Sequence, residues 1–130
     1  MRTMKGERQM ITCRLNGKEY HIDFISGRAL RESGPADEMY RRVMAATNAA
    51  VNGGEYPKDA PTIREAMDEM VKWFCLVFGN QFTPDEVYDY YPVDRVMYDM
   101  ALTLIAVQSQ MTQVLSEFPT KPKATGEEKA

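Results

Sequence analysis

Apolar residues recur at alternating spacings of four and three along the last third of the chain. The pattern occupies Val93, Met97, Met100, Leu104, Val107, Met111, Val114 and Phe118. Such a seam is typical of a helix that packs lengthwise against other helices. It predicts one long helix over residues 92–118, which opens at a proline and ends just before the next one.

Near the N-terminus, apolar and polar residues instead alternate with a period of two. Asn16-Gly17 is the strongest short signal for a two-residue turn, and it predicts a hairpin over residues 10–24. Pairing outward from the turn sets Ile11 opposite Ile22. One face then carries Ile11, Cys13, Leu15, Tyr20 and Ile22. Because two strands alone are marginal in water, helices must cover this face.

Turn formers and capping residues mark the remaining helices. Ser26 is expected to cap a short turn, and Gly34-Pro35 is expected to break the chain before the next helix. Thr62 and Glu65 form a capping-box pattern. The helices predicted in this way, together with the last one, cover residues 35–51, 62–78, 84–90 and 92–118.

These elements predict a mainly α fold of the α+β type, in which an N-terminal β-hairpin packs on a bundle of about four helices with a long C-terminal helix. Residues 73–78 are apolar all round and should lie at the centre. We expect a flexible N-terminus over residues 1–9, a single globular domain over 10–118 and a disordered tail over 119–130.

Composition narrows the class of protein. The chain has 130 residues, 44% of them apolar, and a formal net charge of -3 with the basic residues scattered. This balance disfavours a nucleic-acid partner, and no apolar run is long enough for a membrane span. Cys13 and Cys75 are expected to be small buried hydrophobes in a reducing compartment, with a disulfide as the minor alternative. We therefore expect a cytoplasmic protein.

Candidate chemistry is sparse. The single histidine, His21, falls on the polar face of the predicted hairpin, and no Cys-x-x-Cys pair is present. Asp85 and Asp89 lie in an acidic, tyrosine-rich segment over residues 85–99, where the helix dipole accounts for most of the carboxylates. A surface that recognises a partner is the alternative for this segment. We expect no catalytic residue, no metal and no cofactor, and hence no enzyme.

Much of the last helix is needed to cover the hairpin and the other helices. Its far half, from Leu104 onward, is left as the candidate partner-binding surface, and methionine there suits repacking against varied apolar segments. This surface could serve a partner, self-association into a homo-oligomer, or packing within the chain alone. The candidate residues are Leu104, Val107, Met111, Val114, Leu115 and Phe118.

Three segments carry a resemblance to a known family. They are MITCRLNGKEYHIDFISGRALRE from Met10 to Glu32, WFCLVFGNQFTPDEVYDYYPVD from Trp73 to Asp94, and SEFPTKP from Ser116 to Pro122. Together they resemble the tail assembly chaperones of long-tailed bacteriophages and prophages of Gram-positive hosts.

The resemblance implies a small helical protein that coats the hydrophobic, helical tape measure protein before the tail tube polymerises. It also implies contact with tail tube subunits, action in the host cytoplasm and absence from the mature virion. In that family a second, longer form often arises by ribosomal frameshifting, and its extension would attach to the tail that begins at Thr120. Two other hypotheses stay open. One is a small phage-borne nucleic-acid-binding regulator, and the other is a metal-dependent nuclease that uses Asp85, Asp89 and Asp94.

Overall fold

The computed structural model describes residues 11–117, in which a two-stranded antiparallel hairpin is followed by five helices. The elements are β1 (Ile11–Leu15), β2 (Lys18–Ile22), α1 (Gly27–Arg31), α2 (Ser33–Val51), α3 (Ile63–Val77), α4 (Pro84–Tyr90) and α5 (Val93–Ser116). The predicted fold class is confirmed. The flexible N-terminus, the disordered tail and Phe118 lie outside the described residues, so these parts of the prediction stay predictions.

The hairpin has the register expected from its turn. Ile11 pairs with Ile22, and the turn residues Asn16 and Gly17 have φ values of 53° and 75°. Positive φ at both positions is what a type I′ turn requires, and this turn matches the twist of the strands. The strands end at Ile22, two residues before the predicted limit. Burial alternates along β1, so its apolar side chains face the helices.

Helix α3 forms the centre of the core, as its apolar C-terminal half predicts. Phe74 is fully buried, and its ring lies 5.1 Å from that of Phe78 and 5.9 Å from that of Tyr91. The indole Nε1 of Trp73 donates a hydrogen bond of 2.8 Å to the carbonyl of Ala29. This bond ties α3 to α1 across 44 residues of sequence.

The predicted break at Gly34-Pro35 is wrong. Helix α2 begins at Ser33, directly after the one residue that separates it from α1, and it continues through Pro35. Proline is tolerated there because the first four amides of a helix have no partner within the helix, so the missing N–H costs no hydrogen bond. Ser26 caps α1 as predicted, since its hydroxyl accepts a 3.0 Å hydrogen bond from the amide of Ala29.

Both remaining helix starts in the middle of the chain are capping boxes. At α3, the Glu65 amide donates to the Thr62 hydroxyl at 3.1 Å, and the Thr62 amide donates to the Glu65 carboxylate at 2.9 Å. Thr83 and Glu86 repeat this arrangement at α4. Each box satisfies amides that the helix itself leaves unpaired, which explains why these two starts were predictable from sequence.

Helix α5 packs against α1, α2 and α3. Its buried side chains are Val96, Met100, Thr103, Leu104 and Val107. The seam is therefore core in its middle but not at its start, where Val93 is 88% exposed. Val93 is the first residue of α5, and the spacing alone did not show that its side chain would be exposed. The helix ends at Ser116, earlier than the predicted residue 118.

Candidate partner-binding groove

The last two turns of α5 are only partly covered by the rest of the fold. Residues 111–117 are all exposed, although the apolar seam continues through them. Met111, Val114 and Leu115 are exposed by between two fifths and about a half. The same face that is core at Val107 thus becomes surface one turn later.

A groove of about 440 Å³ lies where this extension passes the start of α1. Its α5 wall is made by Val107, Gln110, Met111 and Val114. The opposite wall is made by Phe24, Ile25, Ser26, Gly27 and Leu30. The Phe24 ring is more than half exposed, while Val107 is buried at the base. The groove is therefore an open apolar channel, not an enclosed cavity.

Charge is missing from the α5 side of the groove. Asp99 is followed by no charged residue until Glu117, so the whole stretch over residues 100–116 is neutral. Gln110 is the polar side chain that the helix adds to the groove lining. An apolar segment can be held there by removal of surface from water, with no requirement for a matching charge.

The structure divides the candidate residues from the sequence into two groups. Leu104 and Val107 are core residues, 2% and 1% exposed, and add little surface. Met111 and Val114 line the groove, and Leu115 lies beside them on the exposed end of the helix. Phe118 is outside the described residues.

The opposite wall of the groove was not predicted from the sequence. Phe24 continues the period-two alternation of the predicted hairpin, but Ile25, the apolar residue directly after it, breaks that alternation. That break in the pattern was the available signal. It could not show which helix these side chains would face, because the neighbour, α5, is more than eighty residues away in sequence.

The acidic, tyrosine-rich segment holds helices together. The Tyr91 hydroxyl donates to Asp99 at 2.6 Å, and Arg95 donates to the other oxygen of the same carboxylate at 3.1 Å. Burial, followed by the hydrogen bond to Asp99, raises the pKa of Tyr91 well above its usual range. Tyr88 likewise donates to Asp68 on α3. These bonds give part of the segment a structural role.

In the part of the chain that the structure describes, the titratable groups do not gather into a metal site. Within residues 11–117, no group of three or more His, Cys, Asp or Glu side chains could hold a metal ion. Cys13 and Cys75 are buried free thiols, and burial raises their pKa to about 12 and about 11, which disfavours the reactive thiolate. His21 is exposed on the hairpin, as predicted.

None of the described helices combines the length and the apolar character that a membrane crossing requires.

The fold and the groove define a small, mainly helical protein with an exposed apolar groove. A family model for phage tail chaperone proteins matches residues 5–130, and the chain belongs to that family. Neither the curated proteins nor the solved structures contain a match. The chain is therefore a tail assembly chaperone that acts in the host cell during assembly. This assignment favours the chaperone hypothesis over the nucleic-acid regulator and the nuclease.

Proposed function

We propose that this chaperone binds and shields apolar helical segments of the tape measure protein, and that the groove between α1 and α5 is the binding surface. The observation that carries the proposal is the neutral, apolar lining of an open groove beside the exposed last turns of α5. A long tape measure helix would present many similar apolar stripes. A neutral groove can accept them without a strict sequence match.

The energetics suit repeated, reversible binding. Complete burial of one large aliphatic or aromatic side chain contributes about 1.5–3 kcal/mol. Phe24, Met111 and Val114 are already about half buried, so each would contribute roughly half of that amount. Part of this gain offsets the entropy lost on association. Single contacts would then be weak, and many copies along one fibre would supply the shielding.

Co-expression with the tape measure gene of the same phage tests the proposal. We expect the chaperone to keep the tape measure protein in solution and to copurify with it. Val114→Asp should abolish copurification, because it places a charge in the apolar groove. Val93→Asp is the matched control, since it makes the same change at an exposed position at the other end of α5. Equal copurification with both variants would contradict the assignment of the groove.

We further propose that the chaperone recruits tail tube subunits, that it works in the cytoplasm of a Gram-positive host of a long-tailed phage, and that it is absent from the mature virion. The support is the family assignment together with the resemblance of the three sequence segments. Pull-down of the tail tube protein by the chaperone tests recruitment. Mass spectrometry of purified virions tests the last point, and peptides of this chain at structural stoichiometry would contradict it.

A further inference from the structure

Helix α5 carries a second stripe on the face opposite its buried one. We call this set the outer stripe. Its members are Tyr98, Leu102, Ile105, Ser109, Thr112 and Ser116. All six are exposed, and they follow one another at spacings of four, three, four, three and four. This is the spacing of a second helix–helix contact, and the core of the chain does not use it.

Side-chain size changes along the outer stripe. Its first three members are large, and its last three are small. We propose that two copies of this protein pair through their outer stripes in antiparallel orientation, centred near residue 107. Tyr98 of each copy then faces Ser116 of the other, Leu102 faces Thr112, and Ile105 faces Ser109.

This register makes the stripe complementary to itself. Every large side chain packs against a small one, which lets the two helices approach closely without gaps. The hydroxyl groups of Thr112 and Ser116 already donate hydrogen bonds to carbonyls of their own helix, at 3.1 and 2.8 Å. A second helix can therefore cover them without leaving these donors unpaired. In a parallel pair each residue would face its own copy. Two Tyr98 side chains would then clash, and two Ser109 side chains would leave a gap.

Charge favours the same arrangement. Residues 100–116 carry no charge, so two identical helices can meet along this stretch without repulsion. Asp99 and its copy would lie 16 residues apart along the antiparallel pair, or about 24 Å, which exceeds the Debye length in physiological salt. A parallel pair would bring Asp94 and Asp99 close to their own copies. The guanidinium carbon of Arg95 lies 5.0 Å from the centre of the Tyr98 ring, at one end of the outer stripe.

The size of the contact sets the expected strength. The stripe spans 18 helical steps, or about 27 Å, along a helix about 10 Å wide. Such a contact covers roughly 300 Å² on each copy, which is less than a stable interface buries, so we expect weak association that depends on concentration. Copies gathered on one long partner would be concentrated locally, and pairing would then be favoured.

Sedimentation equilibrium over a wide concentration range tests the pairing. The mass should rise from 14.9 kDa toward twice that value, and Ile105→Glu should keep it at the monomer value at every concentration. Ile63→Glu is the matched control, because Ile63 is 58% exposed and Ile105 is 59% exposed. A monomeric wild-type protein throughout, or a dimer that survives Ile105→Glu, would overturn the proposal.

Disulfide cross-linking tests the register. Leu102→Cys and Thr112→Cys proteins should cross-link when mixed, but neither should cross-link alone, since Leu102 and its own copy would lie about 15 Å apart. The native thiols of Cys13 and Cys75 are buried, so we expect little cross-linking through them. Efficient cross-linking of the Leu102→Cys protein alone would indicate parallel pairing and refute this register. Both tests use the isolated chaperone, so their outcome is independent of tape measure binding.

Discussion

Trp73→Phe tests the hydrogen bond that joins α3 to α1, the helix that forms part of one wall of the groove. The indole donates to the carbonyl of Ala29, a fully buried residue of α1. Phenylalanine keeps most of the ring but removes this donor. A buried carbonyl that loses its donor costs about 1–3 kcal/mol. The gap left by the smaller ring adds about 1 kcal/mol, so we expect a total loss of about 2–4 kcal/mol.

Urea unfolding followed by far-UV circular dichroism measures this loss. Fluorescence is unsuitable because Trp73 is the single tryptophan. With an m-value typical of a small domain, the midpoint should fall by about 1–2 M. Phe74→Leu serves as the control, since that side chain is equally buried but has no polar atom, and we expect a loss of about 1.5 kcal/mol. If Trp73→Phe costs no more than Phe74→Leu, the hydrogen bond does not stabilise the packing of α1 on α3.

Two further predictions concern capping and pH. Thr62→Ala should lower the free energy of unfolding by about 1 kcal/mol, measured by urea titration, because it removes the acceptor for the Glu65 amide; Thr62→Ser should restore it, and an unchanged midpoint in Thr62→Ala would contradict the capping role. The pKa values of Cys13 and Cys75 lie above the ordinary thiol value of 9.0, so the folded state holds these protons more tightly than the unfolded state. Their contribution to stability is complete below pH 9.0 and is lost as the pH rises through about 11 and about 12. Thermal melts across this range should show falling stability, and a flat profile would contradict buried thiols.

The features that were predictable from sequence are those fixed by local chemistry. The hairpin register follows from Asn16-Gly17, because a two-residue turn at this dipeptide places the apolar side chains of both strands on one face. The start of α3 follows from Thr62 and Glu65 in the same way. In both cases, residues within a few positions of each other determine the backbone, so no distant contact is needed to decide the outcome.

Features that depend on distant contacts were not predictable in this way. The spacing of the seam did not distinguish Val93, which is exposed, from the buried residues that follow it, and it did not indicate that coverage of α5 would decrease after Val107. Where a helix stops being covered depends on the lengths and positions of its neighbours. The groove wall at Phe24 is a similar case, because its partner is set by the packing of α1 on α5. The sequence therefore placed the candidate surface on the far half of α5, but it did not indicate the second wall of the groove.

The neutrality of residues 100–116 is the feature that connects the two proposals. Burial in the core explains the apolar residues of α5 that face α1, α2 and α3, but it does not explain neutral residues on the opposite face, where charge would improve solubility. A helix that had only to cover the core would tolerate Lys or Glu at Leu102 or Ile105. Because the groove and the outer stripe lie on opposite faces, two paired copies would each keep the groove open. One dimer could then hold two apolar segments at once, which a single groove cannot do.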